Sequence, residues 1–121
     1  MLTEVSEMEG DAAKLAKELA ETAEELGKIS PKVGGQFNVF IRHAFEEGAL
    51  SSKEKRLIAL AAGIVRGCDW CIATHVKKAM EAGATKDEIV ETCFVAMVMG
   101  GGPAMAYVKI AMDSMKEFGA T

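Results

Sequence analysis

No stretch of this 121-residue chain approaches the ~20 apolar residues that a bilayer-spanning helix needs. Half the residues are hydrophobic, but their runs are short and interrupted by charge. The opening Met1-Leu2-Thr3-Glu4-Val5 lacks the basic-then-apolar layout of an export leader. A cytoplasmic location with no membrane partner is the expectation. The chain also lacks a basic excess: 14 Lys and Arg stand against 18 Asp and Glu, giving a net charge of −4. That distribution offers no footprint for nucleic acid, and Lys77-Lys78 reads as a solvated helix face. Cysteine is scarce and odd in number. Three cysteines do not suit the disulfide framework of a small secreted domain. In a reducing compartment, a tight cysteine pair points to catalysis or metal binding before architecture. Sustained two-residue alternation is missing as well, so no strands are expected, and there is no strong repeat or low-complexity linker.

What remains is helical. Val5, Met8, Ala12, Leu15, Leu19, Ala23 and Leu26 recur at three- and four-residue spacing, predicting an amphipathic helix over 4–27 that ends at Gly27. Ser30-Pro31 supplies an N-cap and a first-turn proline for a second helix carrying Phe37, Val39, Phe40, Ile41 and Phe45 and stopping near Gly48. Ser51-x-x-Glu54 is a capping box before the apolar run Leu57 to Val65, with Gly67 as its end. A fourth helix is predicted over 69–82, closed by Gly83. Thr85-x-x-Glu88 opens a fifth through Ile89, Val90, Phe94 and Met97. Gly100-Gly101-Gly102-Pro103 breaks the chain before a sixth, over 103–118. The expectation is one all-α domain over 1–121, long enough to bury roughly two-thirds of its unfolded surface. Cys93, among Phe94, Val95, Met97 and Val98, reads as a buried small hydrophobe. Met99, Met105, Met112 and Met115 read as core or subunit-interface material.

Chemistry concentrates between Gly67 and His75, where the sequence runs G-C-D-W-C-I-A-T-H. Cys71 and His75 are four apart on a predicted helix and so share a face. Cys68 falls at or just before the helix N-terminus, and two thiols at this spacing can close a disulfide. The thiolate is the nucleophile, and its free pKa lies about 1.5 units above neutral. Helix N-terminal N–H groups favour the thiolate, and an imidazole one turn away can accept the thiol proton or stabilise the thiolate as imidazolium. One cysteine could then open a peroxide O–O bond and become a sulfenic acid, and the other could condense with it. Three readings compete. Cys68, Cys71, His75 and His43 could form a Cys₂His₂ zinc set. The motif could also be packing alone. A thioredoxin-type exchanger would need strands that the pattern does not offer.

Glu54-Lys55-Arg56-Leu57-Ile58-Ala59-Leu60-Ala61, Gly67-Cys68-x-x-Cys71-x-x-x-His75 and Ala82-Gly83-Ala84-Thr85 together resemble the carboxymuconolactone decarboxylase-like superfamily. Within it, the alkylhydroperoxidase D (AhpD) branch is the nearer match, from about Phe37 onward and most strongly over 52–90. The resemblance implies an all-helical domain of about six helices, assembled as a homo-oligomer, trimer or hexamer. Its implied activity reduces a hydroperoxide substrate through a dithiol–disulfide cycle without a bound cofactor or metal, fed by a dithiol electron donor of lipoyl type. It makes Cys71 the peroxidatic thiol, Cys68 the resolving thiol and His75 part of a proton relay. The AhpD pattern places a relay glutamate twelve residues before the first motif cysteine, where this chain has Arg56. It also favours histidine where this chain has Trp70. Glu54, two residues from Arg56, is either a substitute in the relay or the N3 glutamate of its capping box. A carboxymuconolactone decarboxylase-type enzyme, or a non-enzymatic helical oligomer with a zinc-binding or structural dithiol, are the alternative functions.

Overall fold

A computed structural model describes residues 10–119. Its helices are α1 (Asp11–Ile29), a π-helical turn (Pro31–Gly35), α2 (Gln36–Ala44), α3 (Ser52–Arg66), α4 (Asp69–Glu81), α5 (Lys86–Gly100) and α6 (Gly102–Glu117). No strand occurs among the described residues. The all-α class and the six helices agree with the sequence pattern. Val5 and Met8, assigned to the first helix, lie outside the described residues.

Boundaries differ in two places, each for a local reason. α1 does not stop at Gly27 but continues to Ile29. Its end is set by Pro31, because the ring of a proline pushes the preceding residue out of helical geometry. Ser30 accordingly is extended, with φ −137° and ψ 92°, and its N–H closes on the Leu26 carbonyl. The second predicted helix is divided. Ser30 Oγ accepts from the Val33 N–H at 3.1 Å, capping the π-helical turn before α2 begins. α2 then ends at Ala44, where Phe45 leaves helical geometry at φ −93°, ψ 1°, rather than near Gly48.

α3 opens on the expected capping box: Ser51 Oγ accepts from the Glu54 N–H at 3.0 Å, and Glu54 Oε1 accepts from the Ser51 N–H at 2.8 Å. It closes on Gly67 at φ 73°, a left-handed conformation for which glycine has no steric penalty. A Cβ there would also stand 3.0 Å from Tyr107 Cζ, so this one residue ends α3, admits α6 and delivers the chain directly into Cys68.

The core lies among α3–α6: Leu60 and Ile64 from α3, Ile72 and Val76 from α4, Ile89, Cys93 and Ala96 from α5, and Ala104, Ala111 and Met115 from α6. α4 is the hub, packed against α3, α1 and α6. α1 approaches it through small residues, with Ala12 and Ala16 buried. Cys93 is buried as expected, and that burial pushes its thiol up to about 11, so it is inert at neutral pH. Met115 is core. Met99 and Met105 are not; they join Phe94, Val95 and Val98 as exposed large hydrophobics.

Candidate active site

The Cys68–Cys71 pair forms a disulfide, with Cα atoms 5.2 Å apart, at the start of α4. Cys68 is the N-cap of that helix, and its sulfur accepts from the Cys71 N–H at 3.2 Å. A sulfur here takes the place of the usual serine or aspartate oxygen. The same N–H and the positive end of the helix dipole stabilise charge on Cys68 when the disulfide opens. Gly63 of α3 lets the start of α4 approach closely: a Cβ there would stand 3.2 Å from Cys71 Cβ.

His75 lies one turn beyond Cys71 on α4 and is partly buried. Its ring packs on Phe45, with centroids 5.4 Å apart. Arg56 of α3 completes the cluster. Its guanidinium carbon lies 3.6 Å from the Phe45 ring centroid, and its Nη1 is 3.4 Å from His75 Nδ1. Arg56 thus occupies the place where the resemblance puts a relay carboxylate, with the opposite charge. Burial, followed by the neighbouring Arg56 charge, pushes His75 down to about 4. The ring is therefore neutral at neutral pH. The imidazolium that spacing alone would offer is not populated, and the basicity expected of His75 is reduced.

This neutrality has a pH signature. Unfolded, His75 binds a proton near its ordinary value of 6.5; folded, it resists until about 4. Below 6.5 the unfolded state therefore takes up the proton first, and stability falls as the pH drops through this window. The stability is fully present above 6.5. Roughly 1–2 kcal/mol of loss is expected, allowing for solvent around a ring that is only partly buried. Thermal unfolding from pH 7 to 4.5, compared with His75→Gln, should show the wild type losing its advantage; parallel curves would remove the effect.

Two candidates are placed elsewhere. Glu54 is exposed, and its bonds to the Ser51 N–H and then the Ser51 side chain hold its carboxyl below the usual carboxylate range. Two positions on a helix turn the direction by roughly 200°, so Arg56 rather than Glu54 is the α3 side chain that meets His75. His43 is exposed, with Nδ1 2.7 Å from Glu46 Oε1. No three His, Cys, Asp or Glu side chains are gathered as a metal-ligand set among the described residues, so the Cys₂His₂ arrangement is not assembled. Trp70 is turned to α1, where its Nε1–H donates to Glu18 Oε1 at 3.2 Å. Phe45 and the Arg56–His75 pairing were not among the sequence candidates. The position of Arg56 relative to the cysteines was the one available signal.

Comparison with known proteins places this geometry. The sequence profile of the carboxymuconolactone decarboxylase family matches residues 31–114. The uncharacterized protein 4 in cox locus of Paracoccus denitrificans is 36% identical over 93 residues, spanning 77% of this chain and 84% of the relative. A carboxymuconolactone decarboxylase family protein from Legionella pneumophila superposes with TM-score 0.82 at 31% identity, over 88% of this chain and 96% of that one. Another from Thermotoga maritima, described as a candidate for the antioxidative response, gives TM-score 0.77 at 27% identity, over 86% and 88% of the two chains. The profile covers most of the chain, including all of the cysteine motif. The chain belongs to the carboxymuconolactone decarboxylase family.

Proposed function

We propose that the chain is a thiol peroxidase and disulfide oxidoreductase of the AhpD type, working through Cys68 and Cys71. The supporting observation is the disulfide across the first turn of α4 with His75 one turn beyond it. The antioxidative description of the Thermotoga relative points the same way.

The cycle divides between the sulfurs. Cys71 thiolate attacks the distal oxygen of a hydroperoxide, forming an S–O bond while the O–O bond breaks. The alkoxide takes a proton and leaves as an alcohol, and Cys71 becomes a sulfenic acid. Cys68 thiolate attacks the Cys71 sulfur, closing the disulfide and releasing hydroxide, which leaves as water with one proton. An external dithiol, of lipoyl type in this proposal, then attacks Cys71. Cys68 departs as a thiolate, favoured by its cap position because low-pKa thiols leave faster. The donor is oxidised to its own disulfide and both protein thiols are restored. Glu54 has only an auxiliary place in this scheme, if subunits bring it to a neighbouring site.

The same proposal includes assembly as a homo-oligomer, supported by the apolar side chains that α5 leaves outside its own core. The site would lie in a cytoplasmic protein with no nucleic-acid partner.

The direct test is a free-thiol count and intact mass on reduced, metal-free protein before and after one equivalent of hydroperoxide. Three thiols should fall to one, Cys93, with the mass lower by two hydrogens and a Cys68–Cys71 link in the peptide map. Unchanged thiols would withdraw the peroxidase reading and favour the decarboxylase branch.

A further inference from the structure

We propose that Arg56 is a positioning residue that fixes His75 as its Nε2–H tautomer, so that this histidine offers a hydrogen-bond donor, not a base, one turn from Cys71. The direction of the Arg56–His75 bond carries the inference. A guanidinium has only donors. At 3.4 Å from His75 Nδ1 it can bond the ring only if Nδ1 presents its lone pair. The single proton of a neutral imidazole then resides on Nε2.

The arrangement is held from two sides. Phe45 touches both partners: the guanidinium carbon lies over its ring, 3.6 Å from the centroid, and the His75 ring is tilted 36° to it with centroids 5.4 Å apart. It keeps the two cationic-capable groups together in a partly buried setting that excludes the doubly charged pair. Arg56 acts on His75 from α3, and Glu81, at the end of α4, acts on Arg56. Glu81 is itself 3.5 Å from Lys78 Nζ on the same helix. Of the other elements packed on α4, α1 directs Glu18 to Trp70, and α6 pairs Lys109 with Asp113 at 2.8 Å. Neither is a source of the His75 shift. α6 also places Tyr107 against Gly67, at the other end of the motif.

The chemical consequence follows from the tautomer. A neutral N–H donor stabilises negative charge on sulfur or on a departing oxygen without needing to be recharged each cycle. A carboxylate at position 56 would do the reverse: it would accept from Nδ1–H and leave Nε2 as the acceptor. Arg in place of Glu therefore changes which partner of the reaction the histidine serves. The inference depends on the dithiol reading only for that use of the donor.

Because the chain has two histidines, the test is spectroscopic. Ring nitrogens are followed by NMR in ¹⁵N-labelled, oxidised protein, with exposed His43 as the second signal. Wild-type His75 should show the Nε2–H pattern throughout pH 5.5–8. Arg56→Met keeps an apolar stem over Phe45 but removes donor and charge; it should give mixed tautomers and raise the His75 midpoint by about one pH unit. Arg56→Lys, which restores both, should recover the wild-type pattern, an outcome that packing alone would not produce. An Nδ1–H pattern in the wild type overturns the assignment, whether or not the variants fold. An Arg56→Met spectrum identical to wild type overturns the role of Arg56. No peroxide is present in these samples, so a failed thiol count would remove the peroxidase reading without touching this result.

Discussion

Cys71→Ser is expected to abolish peroxide consumption altogether, while Cys68→Ser should retain one turnover and then stop. The two variants differ because the sulfurs differ in position. Cys71 lies within the first turn of α4 and shares a face with His75; Cys68 is the cap, bonded by the Cys71 N–H at 3.2 Å. Without Cys71 no sulfenic acid forms, and the expected loss of turnover is at least ~10³-fold, since a serine hydroxyl is not activated by these neighbours. Without Cys68 the sulfenic acid forms once and has no resolving partner, so it persists or proceeds to the irreversible sulfinic state. Single-turnover kinetics with a sulfenic-acid trap separates the cases. A Cys68→Ser protein that cycles at the wild-type rate would remove the two-thiol mechanism. A trapped sulfenic acid on Cys68 in Cys71→Ser would exchange the two roles. Neither substitution enters the core, so helical content should be unchanged.

A double substitution, Val98→Glu with Met99→Glu, is expected to convert the proposed homo-oligomer to monomers with its helical signal intact. α5 buries Ile89, Cys93 and Ala96 within its own chain, yet Val98 and Met99 are 82% and 75% exposed. Phe94 and Val95 extend this apolar face. Full burial of such side chains stabilises by about 1.5–3 kcal/mol each. Placing an unpaired carboxylate in the proposed interface reverses that and adds a desolvation cost of several kcal/mol. Repeated in every subunit, this is ample to move a micromolar assembly to monomer, because each 1.4 kcal/mol is about tenfold. Light scattering coupled to size exclusion gives the mass directly. A monomeric wild type, or an oligomer that tolerates both charges, would remove this face from the interface.

The helices were legible wherever the signal was local. Both capping boxes, Ser51 with Glu54 and Thr85 with Glu88, are made by residues three apart, and both form. Gly67 ends α3 because glycine adopts a φ of 73° without steric penalty, and Cys68 and Cys71 meet because a separation of three residues at a helix start sets their distance. Gly27 misled for the complementary reason. A glycine can end a helix, but the restriction that Pro31 places on Ser30 was the stronger local constraint. The same proline begins a π-helical turn, which no three- or four-residue periodicity announces.

The site divides along the same line. The dithiol, the placement of His75 one turn from Cys71 and the burial of Cys93 on an apolar helix face were all readable from residue order. All of these depend on spacing within one helix. It took the packing of helix on helix to bring Arg56, nineteen residues before His75, to its Nδ1, to set Phe45 against both, and to turn Glu54 and His43 to other partners. Those pairings depend on how α3 lies against α4 and on where the chain after α2 returns. A step of two residues on α3 is enough to replace a carboxylate with a guanidinium at the histidine. Helical spacing fixes what one element presents; the angle and register between elements fix what it is presented to.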